Sequence, residues 1–143
     1  EKVNLKLAGG EMTRETYEFR TLIERECLDI IQPDVVCSIG MEGLRQLGHY
    51  AKERGVIFTP HTWGNGIGLL ANCHLTAGSV GAPFIEFPLD PPEWSIERRD
   101  FMLQTPVDID KNGWIHLSNE PGLGVVLDEE KLAQTKSKQA TYQ

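Results

Sequence analysis

The sequence has 143 residues, of which 40% are hydrophobic, so one domain with a buried core is expected. The formal net charge of -7 argues against nonspecific binding to nucleic acids or anionic membranes, because both would repel an acidic surface. Three cysteines without a Cys-x-x-Cys pair argue against a disulfide framework and a thiolate zinc site.

The sequence also indicates a cellular compartment. No apolar run approaches the length of a membrane span, and the polar start over residues 1–4 does not resemble a signal peptide. Unpaired cysteines are typical of a reducing environment. We therefore expect a protein of the cytoplasm that binds neither membranes nor nucleic acids.

The first predicted elements are a strand and a helix. Residues 3–8 alternate between apolar and polar side chains and run into a Gly-Gly turn, which is typical of a strand that ends in a tight turn. Glu11 follows the turn and places a carboxylate at its tip. Thr13 is the expected cap of a helix over about residues 14–26, where apolar side chains recur at helical spacing.

The second unit repeats this design. An apolar run over residues 28–31 predicts a strand, and a proline ends it just before Asp34. A helix over about residues 41–54 follows, with Gly55 as its stop. Strand and helix again leave an acid at the carboxyl end of the strand.

Two further apolar runs also end in polar side chains. Residues 56–59 predict a buried parallel strand, and His61 lies just beyond it, where α/β proteins hold their catalytic groups. An apolar helix over about residues 69–77 comes next, and residues 84–87 predict a fourth short strand that carries Glu86. Strands that alternate with helices in this way indicate successive βα units of a (β/α) barrel.

The four strand-end residues Glu11, Asp34, His61 and Glu86 form a candidate acid–base cluster. A carboxylate that accepts a hydrogen bond from one ring nitrogen orients an imidazole and leaves the other nitrogen to exchange a substrate proton. Asp34 is the expected orienting group, and Glu11 could bind a hard divalent cation. Spacing alone leaves an alternative open, in which these residues merely cap neighbouring helices and bind water.

The same motifs resemble the enolase superfamily, in particular its mandelate racemase subgroup. The resemblance covers nearly the whole chain, because the motifs appear in the family's order and near its intervals. They are Gly9-Gly10-Glu11, Gln32-Pro33-Asp34, Thr59-Pro60-His61-Thr62-Trp63, Phe84-Ile85-Glu86 and Gly122-Leu123-Gly124-Val125-Val126-Leu127-Asp128.

The resemblance implies a magnesium-dependent enzyme that removes the proton α to a carboxylate and holds the resulting enediolate on the metal. Glu11 matches the third metal-binding carboxylate, at the end of the fifth barrel strand. Asp34 and His61 match the Asp/His dyad of the sixth and seventh strands, with His61 as general base or acid. Glu86 matches the eighth-strand acid that hydrogen-bonds the enediolate oxygen.

Several parts of the family pattern lie upstream of Glu11 and have no match in this sequence: the capping domain, a Lys-x-Lys strand and two metal-binding carboxylates. The resemblance therefore implies that residues 1–88 form the C-terminal half of a TIM-type barrel. Residues 89–143 would be an extension that packs on the missing capping domain. We expect the chain alone to be inactive, and to associate with the missing N-terminal half, another subunit or copies of itself, because a half barrel exposes two sheet edges.

Within the extension, Asn112-Gly113 predicts a tight hairpin over residues 107–117. An EF-hand calcium loop is the weaker alternative there, because its pattern lacks the final bidentate glutamate. Asp128 could cap a short helix, and residues 136–143 are expected to be a frayed polar tail.

The remaining signals are local. The glycines at 64, 66 and 68 predict a flexible connection rather than a nucleotide site, since they lack the G-x-G-x-x-G register. Trp63 could form a wall of the pocket beside His61. Arg98 and Arg99 are expected on a solvated face.

Three functions follow from these expectations. Dehydration of an acid sugar is preferred, because one histidine can serve first as base at the α-carbon and then as acid to the departing β-hydroxyl. A racemase or epimerase is the alternative within the family, although the second base it needs is the missing lysine. A noncatalytic half-barrel interaction module is the alternative from another class.

Overall fold

The computed structural model describes residues 4–79 and 82–135. Within these ranges three strands alternate with helices up to residue 78, and two short helices follow. In chain order the elements are β1 (Ala8–Gly9), α1 (Thr16–Glu24), β2 (Ile30–Ile31), α2 (Gly40–Glu53), β3 (Ile57–Phe58), α3 (Gly66–Gly78), α4 (Ile96–Arg99) and α5 (Glu129–Thr135).

The strands form one parallel sheet in the order β1-β2-β3, so each strand pairs with the next one along the chain. In the register of this sheet, Ile30 of β2 lies between Ala8 and Ile57. Parallel neighbours need a crossover connection, which α1 and α2 provide. The predicted α/β class with a parallel sheet is therefore confirmed.

The main core lies between this sheet and the helices. Apolar side chains recur every three or four residues along α1 and α2, which gives each helix one apolar face. The buried members of this core are Phe19, Ile23, Ile31, Leu44, Leu47, Ala51, Phe58 and Leu75. Burial of each larger side chain contributes about 1.5–3 kcal/mol, so packing rather than the short strand ladders dominates the stability of the sheet.

The strands are shorter than the apolar runs predict. For β1 the reason is a side chain: the carboxylate of Asp29 accepts a hydrogen bond from the Leu7 amide at 2.8 Å. The Asp29 amide in turn donates to the Leu7 carbonyl at 2.9 Å. The predicted strand over residues 3–8, whose first residue lies outside the described ranges, is therefore reduced to Ala8–Gly9.

The predicted fourth strand is wrong: residues 84–87 form no strand. Pro83 and Pro88 flank the segment and have no amide hydrogen to give to a ladder. Side chains hold it instead. The Thr62 amide donates to the Glu86 carboxylate at 3.0 Å, and the guanidinium of Arg99 lies 4.5 Å from the centre of the Phe87 ring.

Two helices begin elsewhere than predicted. Thr13 does not cap α1, because the carboxylate of Glu18 accepts the amides of Arg14 and Glu15, and the helix begins after Glu15. The glycine-rich stretch after residue 64 is not a flexible connection. The side chain of Asn65 accepts hydrogen bonds from the backbone amides of residues 67 and 68, as the residue that caps a helix start commonly does. Helix α3 therefore begins at Gly66.

The second half of the chain packs on α3 around a second apolar cluster. Its buried members are Leu69, Leu70, Cys73, Met102, Leu103 and Val107. Arg99 is not on a solvated face, because only 1% of it is exposed and its guanidinium donates two hydrogen bonds to Asp100. Further hydrogen bonds from Arg99 reach the carbonyls of Pro88 and Val107.

The predicted hairpin at Asn112-Gly113 is present only as a closed turn. The amide of Asp110 donates to the Trp114 carbonyl at 2.9 Å, but no strand forms on either side of the turn. The Asp110 carboxylate accepts the amides of Asn112 and Trp114 and contacts a nitrogen of His116. Such side-chain bonds compete with a strand ladder.

The short helix predicted after Asp128 is present, and the carboxylate of Asp128 accepts the Lys131 amide at 3.0 Å. The tail predicted over residues 136–143 lies outside the described residues, and the domain boundary at residue 88 stays a prediction. Of the helices in the two described ranges, none combines the length and the apolar character that crossing a bilayer requires.

Candidate active site

The candidate site lies where the three strands end. Hydrogen bonding between β2 and the β3 segment continues beyond the strands, because the amide of His61 donates to the Pro33 carbonyl at 3.0 Å. This bond keeps residues 33–34 and 61 side by side. The carboxyl ends of parallel strands share one edge, so their polar residues converge there.

The imidazole of His61 contacts a carboxylate on each side. Its Nδ1 lies 3.1 Å from Oδ2 of Asp34, within hydrogen-bonding distance. Its Nε2 lies 3.5 Å from a carboxylate oxygen of Glu11 and 3.7 Å from one of Glu86. The structure thus brings all four predicted site residues together around one ring.

Exposure differs sharply across the ring. The side chain of Asp34 is 4% exposed and that of His61 is 17% exposed, whereas Glu86 and Glu11 are 37% and 56% exposed. The Nδ1 side is therefore closed by protein, and the Nε2 side is open. A ligand can reach Nε2 from the direction of the two glutamates.

Protein groups hold the two less exposed carboxylates in place. Asp34 accepts hydrogen bonds at Oδ1 from the Val36 amide at 2.8 Å and from the side-chain amide of Asn72 at 3.1 Å. Glu86 accepts the amide of Thr62 at 3.0 Å. These bonds leave Oδ2 of Asp34 to face the ring of His61.

This arrangement is suited to proton transfer. In the contact with Asp34, a carboxylate oxygen accepts, so Nδ1 of the imidazole donates. Nε2 is then available to exchange a proton with a ligand, and the two further carboxylates lie next to it. The chemistry available is general acid–base catalysis at a ligand atom that approaches Nε2.

The described residues do not fit a complete metal site. Within residues 4–79 and 82–135, no group of three or more His, Cys, Asp or Glu residues is arranged to hold a metal ion. Glu11 is exposed and can offer one carboxylate. Magnesium requires near-octahedral oxygen coordination, and one carboxylate supplies only part of it.

The sequence patterns missed two buried polar residues, Asn72 and Arg99, of which Asn72 donates a hydrogen bond to Asp34 of the site. Asn72 is a lone amide in an otherwise apolar helix, and a buried amide needs partners, which is a signal that could have found it. Arg99 is followed directly by Asp100. Adjacent charged residues are typical of an exposed surface, so the sequence patterns gave no sign that these two form a buried ion pair.

Trp63 was predicted as a possible pocket wall. The residue is 51% exposed, and its ring stacks on that of Trp94, with 6.3 Å between the ring centres and an interplanar angle of 14°. Trp63 follows His61 by two residues, so an aromatic surface lies close to the candidate site along the chain.

Comparison with known proteins identifies relatives of this chain. A family model described as Enolase C-terminal domain-like matches residues 1–131. The chain is 29% identical over 138 residues to arabinonate dehydratase from Saccharolobus solfataricus; the match covers 96% of the chain and 35% of that enzyme. The chain thus spans about a third of the length of the curated relatives it matches.

Solved structures show the same fold. The 3,6-anhydro-D-galactonate cycloisomerase from Zobellia galactanivorans is 30% identical and matches with a TM-score of 0.79 over 95% of this chain and 37% of that one. A mandelate racemase/muconate lactonizing enzyme-like protein from a Roseovarius species is 22% identical. It matches with a TM-score of 0.81 over 98% of this chain and 33% of that one.

Proposed function

The chain belongs to the Enolase C-terminal domain-like family, and on that premise we propose that it is the C-terminal part of a sugar-acid dehydratase. The similarity to an arabinonate dehydratase over nearly the whole chain supports this choice of reaction. The observation that carries the proposal is the position of His61, with Asp34 behind Nδ1 and an open approach to Nε2. The substrate class is a carboxylate with a hydroxyl on both its α-carbon and its β-carbon.

In the proposed reaction, Nε2 of His61 takes the proton from the α-carbon of the substrate. The Cα–H electron pair moves into the carboxylate to give an enediolate, and Asp34 stabilises the imidazolium. His61 then returns the proton to the β-hydroxyl, which leaves as water as the electrons form the Cα–Cβ double bond. The resulting enol tautomerises to a 2-oxo acid, and atoms and charge balance.

The two exposed glutamates have different proposed roles. Glu86 lies beside Nε2 and would hydrogen-bond the enediolate oxygen in its protonated form. Glu11 would be one ligand of a divalent cation, with the other ligands supplied by substrate and by residues outside this chain. Magnesium, when bound there, would neutralise negative charge on the substrate carboxylate.

We further propose that the described sheet is one half of a (β/α) barrel and that a second segment completes it. The outer edges of β1 and β3 pair with no other strand of residues 4–79 and 82–135. An N-terminal half barrel, or another subunit, would cover these edges and supply the remaining groups of the site. On this proposal the 143-residue chain alone is inactive.

A cycloisomerase is the second candidate, because the cycloisomerase from Zobellia galactanivorans is 30% identical to this chain. A racemase or epimerase, and a noncatalytic half-barrel interaction module, remain the further alternatives. Loss of water distinguishes the dehydratase from the isomerases, and α-proton exchange distinguishes all three enzymes from the module.

The experiment is solvent-deuterium exchange at the α-carbon of a panel of sugar acids, measured by NMR in D2O with magnesium. The chain is tested alone and with an upstream half barrel supplied in trans. We expect exchange and loss of water only in the complemented protein. His61→Asn should lower the exchange rate by about 10²-fold or more.

The matched control is His49→Asn, the same substitution at an exposed histidine of α2, which should leave the exchange rate unchanged. Exchange that survives His61→Asn would contradict the assignment of the base. No exchange with any acid in the complemented protein would favour the interaction module.

A further inference from the structure

Asn72 is a fully buried amide in α3, surrounded along the helix by apolar residues. Burial of a primary amide is unfavourable unless its donors and acceptor find partners. Two of these partners, Val35 and Asp34, lie in the loop that follows β2, 37 and 38 residues away from Asn72 in the sequence. That loop carries Asp34.

The hydrogen bonds of Asn72 determine how its amide is oriented. Its Oδ1 accepts the Val35 amide at 3.0 Å, and its Nδ2 donates to Oδ1 of Asp34 at 3.1 Å and to the Gly68 carbonyl at 3.2 Å. The Val35 amide can only donate, so the oxygen of Asn72 must face it. Both N–H groups of Asn72 are thereby directed at acceptors, one of them Asp34.

The effect on Asp34 is selective. Its Oδ1 accepts two hydrogen bonds, from Asn72 and from the Val36 amide, whereas its Oδ2 contacts Nδ1 of His61. Two donors on one oxygen fix the plane of the carboxylate and leave the other oxygen to the ring. A carboxylate held in this way selects the Nδ1–H tautomer of the imidazole.

We infer that Asn72 is a positioning residue for the proposed proton transfer, acting on His61 through Asp34. The role of Asn72 in proton transfer rests on the proposed function. Its effect on the orientation of Asp34 and His61 does not, because that effect is present whether or not the chain is an enzyme. Asn72 links the helix that follows the His61 loop to the loop that follows β2. Its amide therefore sets both the distance between these two segments and the direction of the Asp34 carboxylate.

The test is 15N NMR of the His61 ring in the 143-residue chain at a pH where the ring is neutral. The charged groups that face the ring of His61 are the carboxylates of Glu11, Asp34 and Glu86, and none of these three residues is substituted in the variants. We expect the Nδ1–H tautomer to dominate in the unchanged chain, and Asn72→Leu to lower its fraction by about half.

The control is Thr76→Val, which also removes one hydrogen bond from α3, the bond between the Thr76 hydroxyl and the Asn72 carbonyl, without touching Asp34. It should leave the tautomer fraction unchanged. An unchanged fraction in folded Asn72→Leu would overturn the inference and leave the proposed function intact. A changed fraction, together with no α-proton exchange in the protein complemented by an upstream half barrel, would support the inference and count against the function.

A second measurement needs no variant. The side-chain amide protons of Asn72 should exchange with solvent much more slowly than those of Gln46, because Asn72 is buried and donates to Asp34 and to the Gly68 carbonyl. The side-chain amide of Gln46 donates to Glu42 on the exposed face of α2 and is the control. Asn72 amide protons that exchange as fast as those of Gln46 would overturn the inference even if Asn72→Leu does not fold.

Discussion

The surroundings of His61 are asymmetric, and this asymmetry determines which ring nitrogen can meet a ligand. Asp34 is buried behind Nδ1, whereas Glu11 and Glu86 lie at the open side next to Nε2. A charge that develops on the ring is therefore stabilised from a protected position, where water does not screen it. The exposed side stays available for exchange of a proton.

Cys73 offers a residue-scale test of how well the core excludes water. Burial raises the pKa of the Cys73 thiol to about 11, and the nearby charge of Arg99 lowers it to a smaller extent. Only about 0.1% of this thiol is then ionised at pH 8, and the thiolate is the nucleophile. Iodoacetamide at pH 8 should therefore modify exposed Cys27 and Cys37 well before Cys73, as measured by mass spectrometry.

The control is the chain unfolded in urea, in which all three cysteines should react at similar rates. Modification of Cys73 in the folded chain as fast as that of Cys27 would show that the second apolar cluster opens readily, contrary to its buried position.

At this scale, the sequence patterns that succeeded are local. His61 and Asp34 each follow a short apolar run and a proline, and that pattern by itself places them at strand ends. The burial of Asn72 and Arg99 was not predicted, because their hydrogen-bond partners depend on how separate segments of the chain pack together. The Asn72 amide meets Asp34 across 38 residues, a pairing that no local pattern encodes.

At the scale of elements, the start of α3 depends on a glycine without a side chain. Gly66 is buried, and a Cβ atom there would clash with Oδ1 of Asp100 and lie 2.7 Å from Cδ1 of Leu103. Gly66 thus lets the helix that follows the His61 loop pack directly on the buried Arg99–Asp100 pair. This pair also bonds the carbonyls of Pro88 and Val107, so one ion pair joins three segments.

Gly66→Ala should therefore destabilise the chain by about 1–3 kcal/mol, because overpacking forces the buried pair to shift. Chemical denaturation monitored by circular dichroism measures the free energy of unfolding. Gly64→Ala, in the loop just before α3, is the control. No atom of the described residues lies within 4 Å of its added Cβ, and its backbone φ suits an L residue. Equal stability of Gly66→Ala and the unchanged chain would contradict the close packing.

The order of the elements from β1 to α3 was predictable, but their extents were not. Apolar periodicity correctly placed α1 and α2, because helices form where one face can be buried. The expected fourth strand at residues 84–87 failed because flanking prolines and the Arg99 side chain take the place of a ladder. Asp29 shortened β1 by capturing an amide, a side-chain effect that strand propensity ignores.

At the scale of the whole molecule, a three-stranded parallel sheet is a small unit with two edges. Among residues 4–79 and 82–135 no strand pairs with the outer edges of β1 and β3, and unpaired edges favour association. The family and the α/β class were both accessible from the sequence, since the motifs at the strand ends are short local segments, and the family model matches residues 1–131. The proposed function needs further metal-binding groups that residues 4–79 and 82–135 do not supply, so the strand-end patterns could not specify them.

The proposed function requires that His61 exchanges a proton with the α-carbon of a sugar acid. Its most direct test is a crystal structure of the chain, completed by an upstream half barrel, with a substrate acid bound. We predict that Nε2 of His61 lies about 3–3.5 Å from the α-carbon, a reactive distance, with Nδ1 still bonded to Asp34. A substrate bound away from Nε2, or a ring turned away from Asp34, would contradict the account.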